Sequence, residues 1–345
     1  MSIGSPPTRT SDVVVIGAGL VGLAIALELN DRGAAVMVVD HGRSLGGAST
    51  AAAGMLAAED PGNPLEVQSL SRLSIAHYPE FLRRIEALCG IAVPFQTDTT
   101  VQYFEGGATL RMAEHSLDPR QLAIALRAAV KATQIQLLEE TEIAAIGERT
   151  NGSEVRLSSG GAIATRAVVY AAGAWSAEVM SALGGEIIGV TPRKGQMLRV
   201  RLPFPLDEVH RSERVYIVPR TRGEQAGTAL IGATVEDAGF DTTVRREDLE
   251  GLRALAGAMI PELGSAVEAP MVESWAGFRP ATQDGLPILG ECSRGGQFVA
   301  SGHYRNGILQ APGTAVVMAD LIGGRSPSIN VSAFSPLRFA CSVTT

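Results

Sequence analysis

The first residues along the chain whose types and spacing could do chemistry are glycines rather than acids or nucleophiles. Gly17-Ala18-Gly19-Leu20-Val21-Gly22 follows directly on the apolar run Val13-Val14-Val15-Ile16, and Asp40 closes a second β-branched run from Val36 to Val39. Each glycine has its own purpose: Gly17 for a tight turn, Gly19 for close approach of backbone to a pyrophosphate, Gly22 for close packing of a helix on a strand. A helix starting at this turn aims its unpaired N–H groups and the positive end of its dipole at the phosphates. Asp40 can then accept hydrogen bonds from the ribose hydroxyls of an adenosine. The combination predicts a dinucleotide site and, taken alone, leaves FAD and NAD both open.

The elements that must hold these residues follow from hydrophobic patterning. Val13 to Ile16 has no polar alternation, as expected of a parallel strand buried on both faces. Leu20 to Leu29 has helical spacing, and Asn30-Asp31-Arg32-Gly33 stops it. The loop His41 to Ala58 is almost entirely small, which predicts backbone pressed on a flat ligand or a short helix packed closely on one. Leu65 to Leu88 reads as one or two amphipathic helices, broken or restarted at Pro79. Val93 to Phe95, Thr99 to Phe104 and Ala108 to Met112 are short strands, Asp118-Pro119 opens a helix to about Thr133, and Gln134 to Leu138 is a further strand. From Thr141 to Ala167 an antiparallel meander turns at Asn151-Gly152 and Gly160-Gly161.

Two more parallel-type strands are expected. Ala167 to Ala172 ends in Gly173-Ala174-Trp175-Ser176, and Gly296 to Ser301 leads through Gly302 to Gly307 into an apolar helix, Ile308 to Ile322. Between them Val190–Arg201, Arg214–Pro219, Thr228–Ala233 and Ala269–Gly277 are strand-like, with one helix near Arg246 to Ile260. The predicted fold is α/β, α+β overall. A Rossmann-like dinucleotide domain, discontinuous in sequence, covers residues 11–80, 113–178 and 280–327. A mainly antiparallel β-sheet substrate domain covers 81–112 and 179–279, with tails at 1–10 and 328–345.

Composition narrows the function classes. The net charge of -7 with 46% hydrophobic residues fits a soluble globular protein and gives no reason to expect nucleic acid as a partner. Three cysteines, Cys89, Cys292 and Cys341, lie outside any CxxC spacing, which argues for a reducing compartment and against disulfides or zinc; no metal is expected. The first ten residues carry no apolar signal region and read as a disordered lead, and no apolar run is long enough to span a membrane. The expected location is cytoplasmic. Lys194 is expected to be an exposed strand lysine.

Several segments together resemble the FAD-dependent D-amino-acid oxidase superfamily, in its glycine oxidase branch associated with thiamine biosynthesis. They are VVIGAGLVGLAIALEL, GASTAAAGMLA, AAGAWS, VTPRKGQML, YIVPR with IGATVEDAGFD, WAGFRPATQDGLPILG and GHYRNGILQAPGTA, spread from residue 13 to about 323. The resemblance implies FAD, held non-covalently. Three small-residue platforms, at Gly17, at Ala53-Gly54-Met55 and at Gly302 to Gly307, support an extended, permanently held cofactor independently.

At the cofactor the resemblance implies Gly17, Gly19, Leu20, Val21, Gly22, Asp40, Ser49, Thr50, Ala53, Gly54, Met55, Ile143, Ala172, Gly173 and Trp175. It adds His303, Asn306, Gly307, Ile308 and Leu309, together with Arg279 and Arg305. The catalytic group carried over is Tyr216, Arg279 and Arg305: Arg279 in GFRP matches a carboxylate clamp, Tyr216 in YIVP a hydroxyl on the same carboxylate, and Arg305 in HYRNG a second active-site arginine. A planar carboxylate suits a bidentate guanidinium, which a lysine could not reproduce. His303 is a candidate acid or base by position only, and reads better as a packed or hydrogen-bonded histidine.

The implied reaction is oxidative deamination of glycine, or a small amine or D-amino acid, by hydride transfer to flavin N5. It gives an imine, then an oxo acid and ammonia, and hydrogen peroxide from dioxygen, and it would supply thiazole synthesis. Positioning and electrostatics suffice for it. Two other readings stand beside it: a D-amino-acid or D-hydroxyproline dehydrogenase using another acceptor, and a flavoprotein subunit of a larger complex. A homo-oligomer, up to a tetramer, is expected. Arg214 and Val235 depart from the family pattern, which has histidine and methionine there in some members.

Overall fold

The computed structural model describes residues 8–186 and 188–342; the tail assignments at residues 1–7 and 343–345 and the side chain of Cys341 lie outside the described residues. The opening unit is β1 (Thr8–Ile16), α1 (Leu20–Asp31) and β2 (Val36–Val39), followed by the short α2 (Ala48–Ala51) and the long α3 (Gln68–Cys89). Strands β3 (Phe95–Thr97), β4 (Thr100–Tyr103), β5 (Thr109–Met112) and β6 (Ser116–Leu117) lead to α4 (Pro119–Lys131) and β7 (Gln136–Leu138). The meander is β8 (Ile143–Arg149), β9 (Gly152–Leu157) and β10 (Ala162–Tyr170), and α5 (Ser176–Ala182) follows it. Then come β11 (Val190–Arg201), β12 (Val209–Arg211), β13 (Tyr216–Arg220), β14 (Thr228–Gly232), α6 (Arg246–Met259), α7 (Pro261–Gly264) and β15 (Met271–Thr282). Finally β16 (Ile288–Glu291), β17 (Gln297–Ser301) and α8 (Gly307–Ile322) return to the first layer.

The first sheet runs β16-β17-β10-β1-β2-β7, with β17, β10, β1, β2 and β7 parallel and the β8–β9 hairpin continuing from β10. It is buried on both faces. Val13 and Val15 of β1 enter the core built with α1, α3, α4 and α8, while Val14 and Ile16 enter the opposite core beside Met37, Val39 and Val168. The second sheet runs β15-β11-β14-β13-β12-β4-β5 and is antiparallel except where β12 meets β4. The mixed α/β architecture and the return of the chain to the first sheet through β17 follow the sequence reading.

Several boundaries differ from it. Thr8 to Thr10 are strand rather than lead, because they pair with Ala162 to Ala164, and β10 is one long strand instead of two short ones. Helix α3 runs unbroken through Pro79: Leu70, Ser74, Tyr78, Phe81, Leu82 and Ile85 are all buried at helical spacing, and that burial outweighs one lost hydrogen bond. The domain boundary expected at 80/81 therefore falls inside a helix, and the one at 279/280 falls inside β15. Residues 328–339 are no free tail, since Phe334 is buried in the first core and Arg338 donates to Asp284 at 2.8 Å. Strands β12 and β16, too short to show a period, were not expected.

Helix α8 carries Pro312, which cannot donate to the carbonyl of Ile308 four residues earlier. Tyr78 of α3 donates its hydroxyl to that carbonyl at 2.5 Å, and Ser74 donates to Leu309 O at 2.6 Å while accepting from Gly313 N at 2.9 Å. A bent helix is thus satisfied by its neighbour, and its amino-terminal tip is held in place.

The turn after β1 depends on close backbone contact. Gly17 has φ +110°, and a Cβ there would lie 2.5 Å from Ala171 O; a Cβ on Gly22 would lie 2.0 Å from Gly17 O. Gly22→Ala is expected to destabilise by ~3 kcal/mol, the upper range for overpacking. Gly251→Ala, in the interior of α6 with open space around it, is expected to stabilise by up to ~1 kcal/mol through helix propensity. Denaturant midpoints of the two variants check the pair; equal shifts would refute the packing argument.

Candidate active site

A cleft of about 580 Å³ opens at the carboxyl ends of β1, β2, β10 and β17 and is closed on its other side by the second sheet. This is where open α/β sheets place ligands. Of the residues expected at the site, Gly17, Gly19, Leu20, Val21, Asp40, Ser49, Ala53, Gly54, Met55 and Ile143 line it. So do Ala172, Gly173, Trp175, Tyr216, Arg279, His303, Arg305, Gly307 and Ile308.

Four do not line it. Gly22 sits behind Gly17, serving the helix packing. The Thr50 hydroxyl donates to Leu45 O at 3.1 Å, Asn306 donates to Asn63 Oδ1 at 2.9 Å, and Leu309 is buried in the first core.

At one end of the cleft, the first turn of α1 begins at Gly19, which has no side-chain cap. A Cβ on Gly19 would meet only Ser49 Oγ, at 3.5 Å, so the space that this glycine leaves opens on the cleft. Asp40 is fixed by accepting from Ala18 N at 2.6 Å and Gly42 N at 2.8 Å, each oxygen keeping a further lone pair. A helix terminus for an anion and an oriented carboxylate for hydroxyls fit the ADP half of FAD. The tip of α8, again without a side-chain cap, brings a second positive helix end to the same cleft through Gly307 and Ile308.

The segment Ala51 to Met55 forms the wall between the two sheets, and its carbonyls are held from outside the cleft. Trp275 Nε1 donates to Ala51 O at 3.0 Å, Arg220 Nη2 to Ala53 O at 2.8 Å and Leu117 N to Gly54 O at 2.9 Å. Gly54 has φ +89°, and any Cβ would lie 2.1 Å from Leu117 O. Such a pinned, side-chain-poor backbone fits a flat ring system pressed against it.

Arg279 lies across Gly195, where a Cβ would come within 2.4 Å of its guanidinium. Its Nη1 donates to Lys194 O at 3.3 Å and Thr234 O at 3.1 Å, and among the described residues no carboxylate pairs with it. Tyr216 packs over Gly232 with its hydroxyl 4.0 Å from Met197 Sδ, and both side chains line the cleft. Arg305 lines the same cleft, exposed and without an ion pair among the described residues.

Trp175 stacks on Phe240 at 4.8 Å, and Phe278 meets both edge-on. Arg214 and Val235 are exposed and do not line the cleft.

Lys194 corrects the expectation of an exposed lysine. The loop from Glu236 to Thr243 covers this end of β11, so the Lys194 side chain is fully buried, and Nζ donates to Thr243 O at 2.6 Å and Asp241 at 3.2 Å, with Glu236 at 3.5 Å. It ties down the loop that carries Phe240 onto Trp175. Met197, Trp275, Arg220 and Phe240 were not singled out in the sequence; Met197, Arg220 and Phe240 lie inside segments that carry the family resemblance, and Trp275 begins one, but nothing local distinguishes them.

His303 is buried, with Nε2 3.0 Å from Thr314 Oγ1, and burial pushes its pKa down to about 4. The imidazole is neutral at pH 7 and packed rather than poised for proton transfer. A folded-state pKa below the unfolded value of about 6.5 means that the contribution to stability is complete above pH 6.5. It is lost as pH falls towards 4, by roughly 3 kcal/mol. His303→Gln should flatten the dependence of the unfolding midpoint on pH between 6.5 and 4; an unchanged slope would refute the assignment.

A family model described as FAD dependent oxidoreductase (DAO) matches residues 12–115 and 96–321. Glycine oxidase from Geobacillus kaustophilus is 33% identical, the match covering 96% of this chain and 98% of that protein. Its crystal structure superposes with a TM-score of 0.88 over 96% of this chain and 99% of that one, at 30% identity. The bifunctional protein ThiO/ThiG of Synechocystis is 32% identical over 96% of this chain, which spans 54% of that protein's length. The two matched stretches take in the glycine turn at Gly17, both uncapped helix tips and the pinned wall at Ala53, the cofactor is FAD, and the chain belongs to the DAO family of FAD dependent oxidoreductases.

Proposed function

We propose that the protein catalyses oxidative deamination of glycine, or of another small amine or D-amino acid, with dioxygen as the final acceptor. The observation that carries this reading is Arg279, a guanidinium in the cleft with only backbone carbonyls as partners among the described residues. A cation so placed, beside the hydroxyl of Tyr216, offers its remaining donors to a carboxylate. Gly195 leaves the room in which the guanidinium lies.

Arg279 and Tyr216 hold the substrate carboxylate and thereby orient Cα towards the wall at Ala53 to Met55, so the main contribution of the chain is positioning. His303, neutral and engaged with Thr314, moves no proton. FAD, when bound there, would supply the two-electron acceptor chemistry for the Cα hydride, with dioxygen as the final acceptor and hydrogen peroxide as its product. The released imine takes up water to give an oxo acid and ammonia. The likeness to glycine oxidase supports glycine as the amine, and a role in supplying thiazole synthesis follows from the family resemblance.

Anaerobic mixing of the holoenzyme with glycine, sarcosine, D-alanine and D-proline should bleach the flavin with at least one of them, and turnover in air should yield peroxide. No bleaching by any of the four would overturn the reading; bleaching without peroxide would replace the oxidase by a dehydrogenase. Arg279→Ala should lower kcat/KM for carboxylated amines by roughly 10²-fold, about 3 kcal/mol of lost charge-assisted hydrogen bonding. An unchanged KM would show that the carboxylate is held elsewhere.

A further inference from the structure

Strand β13 carries Tyr216, Val218 and Arg220 on one face by simple alternation. Val218 shares a small apolar cluster with Ala53, against which Met55 and Tyr216 pack, so this face meets the cleft wall beside the proposed carboxylate site. Arg220 is 1% exposed and donates Nη2 to Ala53 O at 2.8 Å. Its Nε and Nη1 find no hydrogen-bond partner among the described residues. The neighbouring carboxylate, Asp118, stands 3.9 Å from Nε and is itself engaged in capping α4 through Arg120 N. Arg199, another buried cation, opposes it and is paired with Glu273.

A buried guanidinium with one loosely placed counter-charge keeps much of its field, because little solvent screens it. That field sits directly behind the backbone that lines the cleft. We infer that Arg220 is a positioning residue with an electrostatic role: it fixes the Ala53 to Met55 wall and places a buried positive charge behind it that favours reduction of the bound FAD. Two-electron reduction adds negative charge to the ring system, and a fixed cation nearby stabilises it. Burial lowers the Arg220 pKa to about 10, which leaves the group charged at neutral pH. The inference rests on the assignment of the Ala53 wall to the ring end of the cofactor and not on the identity of the amine.

The test is the midpoint potential of the bound flavin, measured anaerobically by dye equilibration, with the dissociation constant for FAD followed alongside. Arg220→Met should disfavour reduction about tenfold, equivalent to ~30 mV for a two-electron couple, and Arg220→Lys should restore most of it. Asp118→Asn, which keeps the helix cap but removes the counter-charge, should shift the equilibrium the opposite way. A purely structural role would not produce opposite signs. The same midpoint in Arg220→Met and the wild type would overturn the inference, as would a shift of Asp118→Asn in the same direction as Arg220→Met. Should Arg220→Met fail to retain FAD, the inference stands or falls on Asp118→Asn, whose unshifted midpoint would overturn it. Because no amine enters the measurement, a holoenzyme that oxidises none of the amines tested still decides the question.

Discussion

Three backbone segments meet at separations that no side chain tolerates, and the rest of the molecule is arranged around that meeting. The turn after β1 lies on the carbonyl of Ala171 at the end of β10, and the first turn of α1 lies on the carbonyl of Gly17. Only glycine at 17 and 22 permits both contacts. They bring the tip of α1 and the carboxyl ends of two adjacent parallel strands to one place, which sets the floor of the cleft and the direction of the helix dipole that faces it.

The second sheet contributes order rather than volume. Its Trp275 and Arg220 reach across to the carbonyls of Ala51 and Ala53, so a loop without large side chains acquires a single shape from outside. The cations that surround this wall differ in how they are compensated. Lys194 is ringed by acceptors, Arg199 leans on Glu273, Arg220 has a distant partner, and Arg279 has carbonyls alone. Of these four only Arg279 lines the cleft, and with carbonyls alone as its partners among the described residues it keeps donors that could meet an anion.

The sequence made the first layer legible because its signals are local: the glycine turn, the uninterrupted β-branched strands, and small residues from Gly46 to Gly54. Most residues carried over from the family likeness do line the cleft; of the four that do not, Leu309 points from the right helix into the core, Gly22 packs on Gly17, and Thr50 and Asn306 bond to neighbouring loops. What could not be read depends on contacts far apart in sequence. Pro79 sits inside α3 because tertiary burial on both sides outweighs its local preference. Lys194 is buried because the loop from Glu236 to Thr243 folds over it, a contact more than forty positions away that no window of residues contains. Arg220 needed the position of Ala53 to acquire a meaning.

The discontinuity of the first sheet bears on how the protein is made. Strand β17 completes the cleft by pairing with β10, and Tyr170 donates its hydroxyl to Gln297 Oε1, 127 positions further along the chain. Pairings of such long range are slow to form, since loop closure must precede any gain in contact energy. The helix that follows β17 supplies the second positive tip of the site. During synthesis the strand β1 and its glycine turn therefore emerge long before the cleft they help to form is complete, which requires β17 and the tip of α8.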